Sequence, residues 1–218
     1  MKHFIITTAI FCLFSLPALA EEGFVSLIPP TGTTWTENEK PLEGWIKHGG
    51  EAIFVVEDDT IVGIRGPSYS TFLCTEKFYR NFIFKFDVKF DILANSGLQF
   101  RSNTQSKSDQ EMVYGYQCEI DEDKDTCLIF DESRRGWLTP PNENTVALID
   151  DVYKKGDWNE ITIQCVGPSI KTWLNGENIV NITDDETAEG FFGLQMHCGD
   201  QGQVRWRNIR VKELPEEE

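Results

Sequence analysis

Asn81-Phe82-Ile83-Phe84-Lys85-Phe86-Asp87-Val88-Lys89-Phe90 is the stretch that decides the fold. Side chains alternate across a strand, so Phe82, Phe84, Phe86, Val88 and Phe90 share one face and Lys85, Asp87 and Lys89 the other. A strand this aromatic on one side needs an apolar layer to lie against. The same period of two recurs along the chain. Ile53 to Val56 and Ile61 to Ile64 flank Asp58-Asp59 as a hairpin. Trp158 to Val166 turns Ile161, Ile163 and Cys165 inward. Ile170 to Leu174 and Asn178 to Ile182 flank Asn175-Gly176, a pair suited to a type I′ turn because both central residues take positive φ. Gly190 to Cys198 and Gln203 to Leu214 read as further strands, and no long amphipathic helix is read. Short strands joined by short links predict an all-β fold, a two-sheet antiparallel sandwich or jelly roll. The longest irregular region runs over 131–157, and such loops often carry function.

The chain has 218 residues. Residues 1–20 read as a cleaved signal peptide: Lys2 and His3 are followed by an apolar run to Leu16, and Ala18-Leu19-Ala20 fits a cleavage site. Export through this signal implies a secreted or periplasmic protein. Residues 21–214 then form a single domain, followed by an acidic tail over 215–218. The apolar run is too short for a comfortable membrane span and no second one follows, so no membrane insertion is expected. With 36 acidic against 20 basic residues, the net charge is −16. Such a surface repels phosphate backbones, which excludes nucleic acid as a natural partner. After cleavage Cys74, Cys118, Cys127, Cys165 and Cys198 remain, an odd number. Cys118 and Cys127 flank an acidic turn and can face each other, bridged or free. No C-x-x-C pair, phosphate-cradling glycine loop, G-x-S-x-G elbow or H-E-x-x-H pair is present.

Three strands carry chemistry on alternate positions. Tyr114-Gly115-Tyr116-Gln117-Cys118-Glu119-Ile120-Asp121 sets Gln117, Glu119 and Asp121 against Tyr116, Cys118 and Ile120. Leu98-Gln99-Phe100-Arg101 sets Gln99 with Arg101, and Leu194-Gln195-Met196-His197 sets Gln195 with His197. In one sheet, these would place two carboxylates, a cation and an imidazole on a common face. Glu119 and Asp121 can divide acid and base roles, or bind a divalent cation together with His197. The bland readings are a solvated face for the carboxylates, a surface ion pair for Arg101 and a structural histidine. Trp137, with Arg135, can form a sugar-stacking wall or simply anchor its loop. No cofactor is evident, with a divalent cation the one candidate.

Motifs along the mature chain resemble the 3-keto-disaccharide hydrolase family, also called 3-keto-glucoside hydrolases. They begin with Gly23-Phe24-Val25-Ser26-Leu27, Leu42-Glu43-Gly44-Trp45 and Val62-Gly63. Asn95-Ser96-Gly97-Leu98 with Arg101 and Gly115-Tyr116-Gln117-Cys118-Glu119-Ile120-Asp121 follow. Asp157-Trp158-Asn159, Trp173-Leu174-Asn175-Gly176, Gly193-Leu194-Gln195-Met196-His197 and Arg207-Asn208-Ile209-Arg210-Val211 complete the series. The resemblance implies a concanavalin-like jelly roll with a polar concave face. It implies a small carbohydrate or glycoside substrate, oxidised at C3 and cleaved by base-assisted elimination and hydration. Under it, Glu119, His197 and Arg101 are the catalytic candidates. Asn95, Gln99, Gln117, Asp121, Trp137 and Gln195 are the substrate-binding candidates. Glu122-Asp123-Lys124-Asp125 and the lead-in Ile46 to Glu51 depart from the family pattern. The rival readings are a non-catalytic lectin-like carbohydrate-binding module and a calcium-dependent adhesion domain.

Overall fold

The computed structural model describes residues 21–28, 35–36, 42–107, 110–122 and 124–216; the expected signal segment lies outside them. In chain order the first strands are β1 (Val25–Ser26), β2 (Trp35–Thr36), β3 (Trp45–Gly49), β4 (Ile53–Glu57), β5 (Thr60–Ile64) and β6 (Thr71–Thr75). Then come β7 (Phe82–Ile92), β8 (Ser96–Lys107), β9 (Gln110–Ile120), β10 (Ile129–Glu132) and β11 (Gly136–Trp137). After the helix α1 (Glu143–Val152) follow β12 (Asn159–Val166), β13 (Ser169–Leu174), β14 (Glu177–Thr183), β15 (Phe191–Met196) and β16 (Gln203–Glu213). One sheet has nine strands in the order β14-β13-β12-β7-β16-β5-β4-β2, with β1 also on β16. The other has seven, in the order β11-β10-β9-β8-β15-β6-β3. Pairing is antiparallel throughout, as the short links required. The expected hairpins form: β4 and β5 turn at Asp58, and β13 and β14 at Asn175 (φ 50°) and Gly176 (φ 92°).

The Phe82–Phe90 stripe lies between the sheets, with Phe82, Phe84, Phe86 and Val88 wholly buried. Opposite it, the seven-stranded sheet contributes Leu98, Phe100, Tyr116, Cys118, Ile120, Phe192, Leu194 and Met196. Phe192 is the pivot of this packing. Its ring stands 4.2 Å from Phe84 and 4.7 Å from Phe82, the latter edge-on. Because alternation commits these residues to the core, Gln99, Gln117, Glu119 and Gln195 must turn to the other face of their sheet. Cys118 and Cys127 also meet in the core, thiol to thiol, each a free cysteine.

The loop region differs from the sequence reading. Part of the expected loop is helical: Asn142 accepts from the amides of Asn144 and Thr145, and Thr145 answers to the Asn142 amide, a capping box that starts α1. The helix is only ten residues long and buries Ile149 alone, so it shows no clear apolar stripe. The start of the acidic tail is docked, with the Pro215 carbonyl accepting from Asn81 Nδ2 at 3.3 Å.

A bulge bends the longest hairpin. Between the pairs Phe100–Tyr116 and Asn103–Tyr114, β8 has Arg101 and Ser102 where β9 has only Gly115. Arg101 takes φ 47° and Gly115 φ 134°. A side chain at Gly115 would meet Ser102 Oγ at 2.4 Å, so glycine is required there. The extra residue breaks alternation and sends Arg101 away from the polar face of Gln99. This corrects its assignment as a catalytic residue. Its guanidinium donates to the Arg80 carbonyl at 2.8 Å and the Gly167 carbonyl at 2.8 Å, and reaches Asn81 Oδ1 at 3.3 Å. Arg101 is 1% exposed. Removing the fork strands buried carbonyls of two loops. Arg101→Ala is therefore expected to lower the unfolding free energy by about 3 kcal/mol. Arg101→Lys should recover only part of that, because an ammonium cannot fork. Urea unfolding measures both, and an unchanged midpoint for Arg101→Ala would contradict the assignment.

Candidate functional site

Strand register arranges the cleft face in rows. Glu119 pairs with Gly97, Gly97 with Gln195, Gln195 with Phe72, and Phe72 with His48. One row thus crosses β9, β8, β15, β6 and β3, carrying a carboxyl, a gap, an amide, a phenyl ring and an imidazole. Gln117 lies across the gap, where any Cβ on Gly97 would meet its amide carbon at 2.6 Å. A directed chain of hydrogen bonds runs along this floor. Ser102 donates to Gln99 Oε1 at 2.7 Å, Gln99 Nε2 to Gln117 Oε1 at 2.5 Å, and Gln117 Nε2 to Glu119 Oε1. Asn95 Nδ2 reaches Glu119 Oε2 at 3.4 Å. Gln195 is 1% exposed and its Oε1 has no partner. A buried acceptor left open is costly.

Burial pushes the Glu119 carboxyl up to about 7. The hydrogen bonds from Gln117 and Asn95 oppose the rise, while the charges of Glu132 and Asp121 add to it. Glu132, from β10, is also raised, mainly by burial, and feels a compensating charge from His197. Glu132 thus feels the charges of both Glu119 and His197. Two carboxyls raised by burial and standing within each other's fields can divide the roles of proton acceptor and donor.

Beyond the bulge, the start of β9 around Glu111 arches over this floor. Although β3 and β9 stand four places apart in the sheet, His48 Nδ1 and Glu111 Oε2 meet at 2.8 Å. His48 holds the Glu111 carboxyl below its ordinary range through that bond. Beneath the arch, Val113 packs with Phe72, Cys74 and Phe191 in an apolar cluster separate from the main core. His48 stacks on Phe191 at 6.0 Å. A cleft of ≈ 550 Å³ opens between the arch and the floor, lined by His48, Tyr69, Phe72, Met112, Val113 and Glu132 among others.

Of the residues singled out by sequence, the fold brings Asn95, Gln99, Gln117, Glu119, Gln195 and His197 to this face. Asp121 ends the strand, where its Oδ1 accepts from the Lys124 amide at 3.4 Å. Trp137 stands at the sheet edge, 38% exposed and edge-on to Phe130 at 5.2 Å. Arg135 does not join it, being tied to Asp131 and Asp184. Arg101 lies on the far side of its strand. Among the described residues, no three acidic, histidine or cysteine side chains converge as a metal-binding group. Glu132, His48, Glu111 and Phe72 were missed. Glu132 alternates with Phe130, but the charged run Asp131 to Arg135 reads as loop and hides that strand.

Two antiparallel sheets, with a polar cleft roofed on one face, define a jelly roll of the galectin-like class. Residues 32–212 match the 3-keto-α-glucoside-1,2-lyase-like domain family, and the chain belongs to that family. A candidate glycosyl hydrolase from Parabacteroides distasonis is similar in structure, at 20% identity and TM-score 0.56, over 89% of this chain and 95% of that one. The carbohydrate-binding module CBM66 from Bacillus subtilis is similar over 78% of this chain and 96% of its own, at 18% identity and TM-score 0.55. The lumenal domain of VIP36 aligns at 9% identity and TM-score 0.50, over 80% of this chain and 86% of that one. No curated protein matched the sequence. The family ties the domain to glycoside chemistry or carbohydrate binding, and the structural likenesses show the jelly roll.

The electrostatics of Glu119 carry a pH signature. Between an ordinary carboxylate value of 4.5 and about 7, the folded protein holds a proton that the unfolded chain has lost. Stability owed to this carboxyl is full at the acid end and falls as pH rises through that window. Glu119→Gln should lack the fall, gaining up to about 3 kcal/mol over the parent protein at pH 8 and nothing at pH 4.5. Urea unfolding at the two pH values reads the difference, and parallel profiles would refute it.

Proposed function

We propose that the protein is an exported glycoside-cleaving enzyme that acts on 3-keto-glycosides. The observation carrying this reading is the buried carboxyl of Glu119, held near neutrality on the polar face of the seven-stranded sheet, within the field of Glu132, which lines the cleft. A ketone at C3 makes the C2 proton acidic. Glu119 takes that proton, and the C2–H electron pair becomes the enolate. As the enolate collapses to a C1=C2 double bond, the C1–O1 bond breaks with its pair going to O1. O1 leaves as an alcohol after taking a proton from a second acid, for which Glu132 on the neighbouring strand β10 and His197 at the end of β15 are the candidates. Water adding across the double bond returns the 3-keto sugar, so the net reaction is hydrolysis. The half-buried amide of Asn95, beside Glu119, offers a donor for a sugar oxygen or the enolate, while the buried amides of Gln99 and Gln117 hold the carboxyl in place. The family description, with its 1,2-lyase, agrees with an elimination between C1 and C2. Removal of the N-terminal signal would deliver the enzyme to the periplasm or medium.

A non-catalytic carbohydrate module is the second reading, favoured by the exposed ring of Trp137 at the rim. It leaves the desolvated Glu119 carboxyl without a role. Glu119→Gln is expected to lose about 10³-fold in kcat on a 3-keto-glucoside while still binding it. Release of the aglycone, followed by chromatography, measures this. Full activity in the variant would remove Glu119 from the chemistry, and sugar binding without turnover by the parent protein would establish the module instead.

A further inference from the structure

Cys127 stands where glycine is the expected residue. Its amide donates to the Glu119 carbonyl at 2.8 Å, and the Glu119 amide donates to the Leu128 carbonyl at 2.9 Å. Cys127 and Leu128 thus oppose the single Glu119, a bulge just before β10. The Leu128 amide also closes a turn on the Asp125 carbonyl at 2.9 Å, which puts Cys127 third in that turn with φ 71°. A side chain in this left-handed conformation is strained, and glycine would relieve it. Backbone strain of this kind persists where the side chain has a task.

The surroundings narrow that task. Cys127 is wholly buried between the sheets, and its carbonyl accepts from Thr172 Oγ1 at 2.8 Å across the core. The Cys118 thiol is also wholly buried and lies within hydrogen-bonding reach of the Cys127 thiol. The other three described cysteines stand apart from this pair. Cys74 packs with Phe72, Val113 and Phe191 on the opposite face of the seven-stranded sheet. Cys165 sits in β12 of the other sheet, between Ile170 and Phe82, and Cys198 follows β15 at the surface, partly exposed.

We infer that Cys118 and Cys127 are a disulfide-forming pair, closed as the chain folds in an oxidising compartment, which staples β9 to the strand that returns beside it. The inference is independent of the keto-glycoside reading. Each thiol gives up a proton. The thiolate of one attacks the disulfide of a thiol-oxidising protein, the thiolate of the other displaces that protein, and two electrons leave with it as a dithiol. Burial raises the Cys118 thiol well above its ordinary range and keeps exchange partners from both sulfurs. The bond therefore forms before the sheets close over it and is afterwards shielded from reductants. The free pair of this structure is the reduced state of the site. Cys118 directly precedes Glu119 and the Cys127 amide holds the Glu119 carbonyl, so the link fixes the backbone on both sides of that carboxyl-bearing residue.

The test sends residues 21–218 to a bacterial periplasm behind a host signal and makes the same chain in a reducing cytosol. Both forms are unfolded in guanidinium without reductant and labelled with N-ethylmaleimide. Of the five cysteines, three are expected to label in the periplasmic form and all five in the cytosolic one. Mass spectrometry of a digest kept unreduced should join the peptides carrying residues 118 and 127. Five labels on the periplasmic form, or a bridge that uses Cys74, Cys165 or Cys198, overturns the assignment. Cys127→Gly separates the bond from packing. Lost packing and relieved strain act alike in both forms, so the difference between the forms reads the bond alone. The substitution should lower the melting temperature of the periplasmic form by about 5 °C more than that of the cytosolic form. Equal shifts in the two forms would leave Cys127 without a covalent role.

Discussion

The architecture of the cleft depends on one constraint, the mismatch of Arg101 and Ser102 against the single Gly115. A regular β8–β9 ladder would continue flat and leave the polar face of the sheet open to water. The extra residue increases local twist and bends the hairpin, which then lies over the strands beside it. Glycine at 115 makes the close approach to Ser102 feasible. The inverted Arg101 anchors the bend by gathering carbonyls from the two loops before β7 and β13. The residue that breaks the pattern on one face thus fastens the other. The His48–Glu111 contact closes the arch at its far end, across strands that are not paired in the sheet.

Enclosure is what gives the polar residues their chemistry. In an acidic chain of net charge −16, carboxylates are common and mostly solvated. Glu119 differs because burial removes its water while Gln117 and Asn95 supply too few donors to hold its charge fully. Asp131, equally buried, shows the opposite solution: Arg134 and Arg135 both bind it, and it serves the loop rather than the cleft. Two buried acids twelve residues apart are set to different tasks by the cations they do or do not meet.

Much of the fold was legible because period two is a strong signal wherever one face is aromatic and the other charged. The Phe82–Phe90 stripe, the Asn175-Gly176 turn and the common face of Gln99, Gln117, Glu119 and Gln195 follow directly from it. Alternation carries no information about bulges, since an inserted residue looks like any other. Extrapolating from Gln99 to Arg101 therefore failed at the first irregular step, although the neighbouring Gly115 hinted at one. Glu132 was hidden for a different reason. Its strand holds four residues, two of them acidic, too few for alternation to stand out even though it pairs with β9, the strand directly before it. Phe72 and His48 belong to the site only because distant strands are stacked in register.

The amide chain on the floor has a direction. An amide presents an acceptor at one end and a donor at the other, so once Ser102 donates to Gln99, the orientation of each following amide is decided. Gln117 then faces Glu119 with its donor rather than its acceptor. Ser102 never touches that carboxyl, yet it determines which kind of hydrogen bond the carboxyl receives. The bulge that curves the sheet holds Ser102 beside Gly115, and in doing so it also sets the polarity of the cleft floor.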